Sequence, residues 1–181
     1  MTKNKKVALG IGATIIILYM LRTKIASALN KTSFSAVSDK LFNFISNLEN
    51  FDAVAFWDYK QWSIGYGSGY NWDANRPVQK GDVIDKATAK RWLLAEAQQN
   101  FDKVMAMVKV PINDNQLLAL SSFAYNAGNG ALADSTLLSL LNSGADKNLV
   151  ANQFDRWVYA GGQISQGLKN RRAAEKQLFL S

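Results

Sequence analysis

Residues 7–21 form an uninterrupted apolar run without a charged side chain, bounded by Lys6 and Arg22. The run is apolar on every face, which is not the pattern of an ordinary half-buried helix. It falls short of the roughly 20 residues that cross a bilayer comfortably, but the long stems of Lys6 and Arg22 can extend it towards both interfaces. We therefore predict a membrane-inserted segment with its linker over residues 1–32 and a globular domain over residues 33–181.

Three interpretations of the apolar run stay open: a stable anchor, a cleaved signal peptide, or a marginal anchor that can leave the membrane. Ala26-Ser27-Ala28 has the small-x-small form of a cleavage site. Arg22 and Lys24 lie between the run and that site, where positive charge disfavours export. Gly, Ala and Thr residues make the first half of the run weakly apolar, which favours a weak hold on the bilayer.

The positive charge of the chain is concentrated at this N-terminal end. The whole chain carries a net charge of +7, but its first 32 residues contain six of the 21 basic residues and no acid. The remaining 15 bases face 14 acids, so the globular part is nearly neutral. A basic patch for nucleic acid would need local clustering, and we expect no nucleic-acid partner.

The chain contains no Cys and no His. The missing Cys excludes disulfides, a thiol nucleophile and thiolate metal sites. The missing His removes the usual general base and the commonest metal ligand. Acid–base chemistry at neutral pH must therefore use carboxylates, Lys or Tyr.

The globular part predicts an α+β fold that is mostly helical. Apolar residues recur at helical spacing from Phe34 to Leu48, so a helix should run into Glu49-Asn50, where Asn can adopt a left-handed ending. Aromatic, β-favouring residues from Ala53 to Tyr70 predict a hairpin that turns near Lys60-Gln61. Further helices should begin near Asp85, Asn113, Ser135 and Lys147, with one more ending the chain.

Two carboxylates and a hydroxyl meet where the first helix gives way to the hairpin: Glu49, Asp58 and Ser63. Glycoside hydrolysis needs two carboxyl groups flanking the scissile bond, one protonated and one ionised. Phe51, Phe56 or Trp57 could surround Glu49 and help it keep a proton by desolvation. The alternative is structural: Glu49 ends a helix, Asp58 occupies a turn and Ser63 is a solvated strand residue.

These residues resemble the catalytic stretch of the phage lysozymes of glycoside hydrolase family 24. That family has a Glu, eight residues, an Asp, and then a hydroxyl residue that opens an Ile-Gly-Tyr-Gly-like strand, as residues 63–67 do here. Residues 122–130 and 135–138 resemble its central helix and the following segment. Residues 154–162 and 167–175 resemble its C-terminal signature, so the resemblance covers roughly residues 38–180.

The chain departs from the family pattern at three positions. Asn50 follows Glu49 where the family usually has Gly, and Ser68 stands where it commonly has His. Ser63 lies five positions after Asp58, whereas the family has Thr at six. A one-residue deletion in a strand would turn the side chain to the other face unless the hairpin turn absorbs it.

The resemblance implies a two-lobed lysozyme-like fold with a small hairpin lobe and a cleft between the lobes. It implies that Glu49 is the general acid, that Asp58 stabilises the positive charge or activates water, and that Ser63 positions the water. Tyr125, Asn126 and Arg171 are candidate substrate-binding residues. The implied substrate is the β-1,4 bond between N-acetylmuramic acid and N-acetylglucosamine in peptidoglycan, cut by a monomeric domain without metal or cofactor.

The segment at residues 7–21 resembles the signal-anchor of endolysins that are exported inactive and later released. We expect the catalytic domain to face the host periplasm, or the segment to lie in a virion membrane, with release to the periplasm as a third outcome. Two other functions stay open. A lytic transglycosylase needs only the acid Glu, although Asp58 argues against it. An inactive, membrane-bound structural or wall-binding protein is supported by the shortened spacing between Asp58 and Ser63.

Overall fold

The computed structural model describes residues 32–58 and 60–181. Within them, α1 is followed by two hairpins, a series of helices, a third hairpin and a last helix. The elements are α1 (Phe34–Ser46), β1 (Asp52–Asp58), β2 (Gln61–Gly65), β3 (Tyr70–Asn71), β4 (Arg76–Pro77), α2 (Lys86–Met107), α3 (Asp114–Ala127), α4 (Asn129–Ala133), α5 (Thr136–Ser143), α6 (Lys147–Ala151), a 3-10 turn (Phe154–Arg156), β5 (Tyr159–Ala160), β6 (Gln163–Ile164) and α7 (Gln166–Leu180). The α+β, mostly helical class is confirmed.

Helix α1 buries the face that its apolar spacing predicts. Val37, Leu41 and Ile45 are buried against the helical core. The helix ends at Ser46, but the backbone N–H of Glu49 still donates to the carbonyl of Ile45 at 3.1 Å. The predicted left-handed ending at Asn50 is wrong: among the described residues other than Gly, positive φ occurs at Asn75.

In the first hairpin Asp58 lies opposite Gln61, so residues 59–60 connect the two strands. The turn is therefore one position earlier than the predicted Lys60-Gln61. Phe56 lies opposite Ser63, and Trp57 opposite Trp62. Because alternate residues of a strand share a face, Asp58 and Ser63 lie on the same face of the hairpin, together with Phe56 and Gln61. The short connection therefore absorbs the missing residue, and Ser63 is not turned away from the face that carries Asp58.

The helices pack around α3, which contacts α1, α2, α4 and α7. The predicted starts are confirmed by their caps: the side chains of Asp85, Asn113 and Ser135 each accept a backbone N–H from the first turn of the following helix. A smaller apolar cluster lies under the first hairpin and includes Ile64, Ile84 and Trp92. The domain therefore has a helical lobe and a small hairpin lobe, joined by α2.

Residues 32–58 and 60–181 contain no helix that is long and apolar enough to cross a membrane. The predicted membrane segment, residues 7–21, lies outside the described residues, as does most of the predicted linker.

Candidate active site

Glu49 lies three residues beyond the end of α1, and its side chain is 27% exposed. Its carboxylate accepts a hydrogen bond from Nη1 of Arg171, which comes from α7. The predicted apolar environment of Glu49 is incomplete, because Phe56 and Trp57 are 38% and 58% exposed to solvent. Glu49 thus lies at the edge of the helical lobe, held by a guanidinium group and open to solvent on one side.

Asp58 is exposed at the end of β1, whereas Ser63 on β2 is fully buried. The Ser63 hydroxyl accepts a hydrogen bond from Nε2 of Gln61 at 3.5 Å. Gln61 lies on the same face and also covers Gly69, since a Cβ there would come within 2.5 Å of the Gln61 amide nitrogen. The Ser63 hydroxyl is therefore closed to solvent and already has a partner in Gln61.

Tyr125 and Asn126, consecutive at the end of α3, line two different grooves. Tyr125 borders a groove of about 470 Å³ between the hairpin lobe and α2. Asn126 borders a groove of about 350 Å³ beside the third hairpin, together with Trp157 and Arg172. The end of α3 therefore separates the two grooves.

The Tyr125 hydroxyl donates to the carbonyl of Tyr66 at 3.3 Å. Burial raises the pKa of Tyr125 well above its ordinary value, and the negative charges of Glu96 and Glu49 raise it further. Its hydroxyl thus stays neutral and can act as a hydrogen-bond donor at the pH at which carboxylates are ionised.

Arg171 is 4% exposed, so its guanidinium has little surface left for a ligand. Besides Glu49, it donates from Nε to Glu175 at 3.2 Å and from Nη2 to the Ser122 hydroxyl at 3.4 Å. Arg172 lies over the ring of Phe123 and also contacts Glu175. Arg172 and Glu175 therefore pair within a larger network that reaches Glu49.

The sequence profile of the family described as phage lysozyme matches residues 46–175, which include every candidate catalytic residue. The chain belongs to the phage lysozyme family.

Individual relatives agree with this assignment of the lysozyme domain. An endolysin of Bacillus phage PZA is 39% identical over 148 residues, which are 80% of this chain and 55% of that relative, so the chain spans about half of its length. A SAR-endolysin of Enterobacteria phage PA-2 is 29% identical over 88% of this chain and 95% of its own. The solved endolysin from Escherichia coli O157:H7 phage FAHEc1 superposes with a TM-score of 0.74 at 30% identity, covering 84% of this chain and 96% of that one.

Glu96 is a residue of the lysozyme domain that the sequence interpretation missed. It lines the larger groove from α2 with Gln99 and Asn100. Its carboxylate accepts hydrogen bonds from Ser68, the position where the family commonly has His, and from Nε1 of Trp72 at 3.1 Å. Polar residues at i, i+3 and i+4 share a helix face, and this spacing in α2 was the available signal.

Within residues 32–58 and 60–181, no group of three or more Asp, Glu, His or Cys side chains is arranged to hold a metal ion.

Proposed function

We propose that this lysozyme domain is a muramidase, a peptidoglycan hydrolase that cleaves the β-1,4 bond between N-acetylmuramic acid and N-acetylglucosamine. The observation that carries the proposal is the hairpin register. It puts Asp58 and Ser63 on one face with Gln61, which lines the larger groove, in a chain whose family match begins just before Glu49. This combination supports a pair of carboxylates on either side of a bound glycan.

In the proposed reaction, the carboxylic acid of Glu49 donates its proton to the glycosidic oxygen as the bond to the anomeric carbon breaks. Asp58, as a carboxylate, stabilises the positive charge at that carbon or accepts a proton from the attacking water. Ser63 holds this water once Gln61 has moved. The water oxygen bonds to the anomeric carbon, and inversion there is the expected outcome for two carboxyl groups separated by a water.

The two grooves support the binding of an extended glycan across the end of α3. Tyr125 would accept a hydrogen bond from a sugar hydroxyl in one groove, since its own O–H donates to Tyr66, and Asn126 would contact the glycan in the other. Arg171 contributes through its contact with Glu49, because its guanidinium is already bonded on three sides. The groove that Tyr125 borders is lined mainly by polar groups that can bond sugar hydroxyls, and the other groove combines Arg156 and Arg172 with Trp157, Tyr159 and Leu168.

The test is digestion of purified peptidoglycan by the full-length chain, with product analysis by mass spectrometry. A muramidase lowers the turbidity and leaves reducing N-acetylmuramic acid ends. Products with 1,6-anhydro ends would establish the transglycosylase instead. No products from a folded chain, with binding to walls retained, would establish the inactive wall-binding protein.

We further propose that residues 7–21 insert into a membrane, with the catalytic domain on the periplasmic side of the host inner membrane. The similarity to a SAR-endolysin supports export through a signal-anchor followed by release. A permanent anchor, including one in a virion membrane, is the alternative. The fraction of the protein recovered from membranes before and after depolarisation separates the two.

A further inference from the structure

A buried carboxylate lies behind the candidate acid, and the reaction proposed above does not use it. Glu175 is fully buried on α7. Its Oε1 accepts from the Ser122 hydroxyl at 2.8 Å, from Nε of Arg171 at 3.2 Å and from Nη2 of Arg172 at 3.2 Å. Its Oε2 lies 2.9 Å from Nε of Arg172. Removing a carboxylate from water costs free energy even when hydrogen-bond donors surround it. A role for Glu175 at this buried position is therefore worth seeking.

Arg171 links Glu175 to Glu49. Its Nε faces Glu175 and its Nη1 faces Glu49, so that one guanidinium lies between two carboxylates. Arg171, Arg172 and Glu175 are all less than 5% exposed, and charges in such an interior act on one another far more strongly than charges in water. Two arginines and two glutamates form a set with no net charge when all four are ionised.

This charge balance matters because a general acid must hold a proton. A guanidinium in contact with a carboxyl group acts in favour of a negative charge there, and a carboxylate cannot protonate a glycosidic oxygen. Burial raises the pKa of Glu175, while Arg172 and Arg171 beside it act in the opposite direction. In its ionised form, the negative charge of Glu175 acts on the same guanidinium from the other side and offsets that effect.

Other charged groups near Glu49 do not replace Glu175 in this role. Tyr125 on α3 faces Glu49 but is neutral, since burial raises its pKa. Glu96 on α2 acts on Tyr125 and is bonded to Ser68 and Trp72. Asp58 on β1 is exposed, where water screens its charge.

We propose that Glu175 is a positioning residue for the reaction proposed above: it holds Arg171 against Glu49 and cancels enough positive charge for Glu49 to remain a proton donor. Arg172 supplies the opposing charge, so Glu175 and Arg172 together determine the upper pH at which the enzyme works. This role rests on the proposed function of Glu49 as the general acid.

The test measures initial rates of peptidoglycan digestion between pH 4 and pH 9 with the full-length chain. Glu175→Gln keeps the shape but removes the negative charge, and the alkaline limb of the profile should move to lower pH by about one unit. Arg172→Gln removes a positive charge and should move the same limb to higher pH. The double variant restores the balance and should return the limb towards the wild-type position.

Opposite shifts from the two single variants are an outcome that a purely structural role cannot produce. A uniform loss of rate at all pH values, with the limb unmoved in both, overturns the proposal. Should Glu175→Gln not fold by circular dichroism, the shift of Arg172→Gln decides alone, and an unmoved limb there refutes the proposal. A wild-type chain that releases no muramic ends, or a Glu49→Gln variant with full activity, instead refutes the proposed function.

Discussion

Glu49 is the residue on which the proposed chemistry depends most directly. It lies one turn beyond α1, where backbone bonding to Ile45 still orders the chain, and Arg171 orients its carboxylate. At this scale the candidate site consists of one partly exposed carboxyl group at Glu49, one exposed carboxyl group at Asp58 and one buried hydroxyl at Ser63. A substitution at each position therefore tests a different chemical property of the site.

Glu49→Gln should abolish wall digestion while the fold stays intact. The amide keeps the size of the side chain and can still accept a hydrogen bond from Arg171, but it has no acidic proton to donate. General acid catalysis contributes on the order of a hundred- to ten-thousand-fold. Turbidity loss of purified walls measures the rate, and the thermal unfolding midpoint controls for the fold. Activity above about a tenth of wild type would assign the acid to another residue.

Ser63→Ala should slow the reaction, and Ser63→Thr should be tolerated. The hydroxyl faces Gln61 on the surface that carries Asp58, so it can hold a water or orient the carboxylate, and Thr keeps it. The two kcat values on purified walls, compared with wild type, test this expectation. Full activity of the Ala variant would mean that the short hairpin leaves Ser63 without a part in the reaction.

The residues of the candidate site lie at or near the ends of helices and strands. Glu49 follows the end of α1, Asp58 ends β1, and Tyr125 and Asn126 lie near the end of α3. Strand β2 ends at Gly65, whose φ of +67° is in the left-handed region. A Cβ at this position would lie 3.0 Å from the Cβ of Ala89, which is buried on α2. Gly65 therefore allows the hairpin lobe to approach α2 closely.

Gly65→Ala should destabilise the domain by about 1 to 3 kcal/mol, because it adds backbone strain and a close contact with Ala89. Gly130→Ala is the matched control: Gly130 lies in α4, and a Cβ there meets nothing within 4 Å. Ala at that position should be neutral or stabilise by up to about 1 kcal/mol. Urea unfolding compares the two variants. Equal stability of both would show that the small lobe relaxes without cost.

At the scale of the whole molecule, the described chain begins at the opposite end of α1 from the site. Thr32 donates to Asp114 at the start of α3, and the 13 residues of α1 span about 20 Å before the chain reaches Glu49. A tether at Thr32 would therefore hold the domain by the end that does not carry the candidate acid.

Replacing Gly10, Gly12, Ala13 and Thr14 with Leu should trap the protein in the membrane and suppress lysis. The substitutions make the proposed anchor apolar along its whole length, and Leu favours the bilayer interior. Cell lysis timing and the soluble periplasmic fraction after depolarisation are the measurements. The release model fails if this variant lyses cells on the normal schedule, or if the wild type is never found in the soluble fraction.

The sequence by itself determined the features that depend on residues close together in the chain. The caps at Asp85, Asn113 and Ser135 bond to groups three positions away, and the buried stripe of α1 follows from helical periodicity. Such interactions depend only on residues that are close in the sequence, so the starts of the helices and the hairpin could be predicted. The left-handed ending predicted at Asn50 does not occur, and the chain enters strand β1 two residues later.

Only the tertiary structure decided how the site is assembled. Arg171 reaches Glu49 across 122 positions of sequence, and Ser68 reaches Glu96 across 28. The i, i+3 spacing of Arg172 and Glu175 is typical of a pair on one helix face, but nothing local indicated that Arg171 would turn towards α1. Long-range partners depend on how the helices pack around α3, and that packing minimises the energy of the whole core. The charge around the candidate acid is therefore a property of the folded molecule, set by residues from α1, α3 and α7 together.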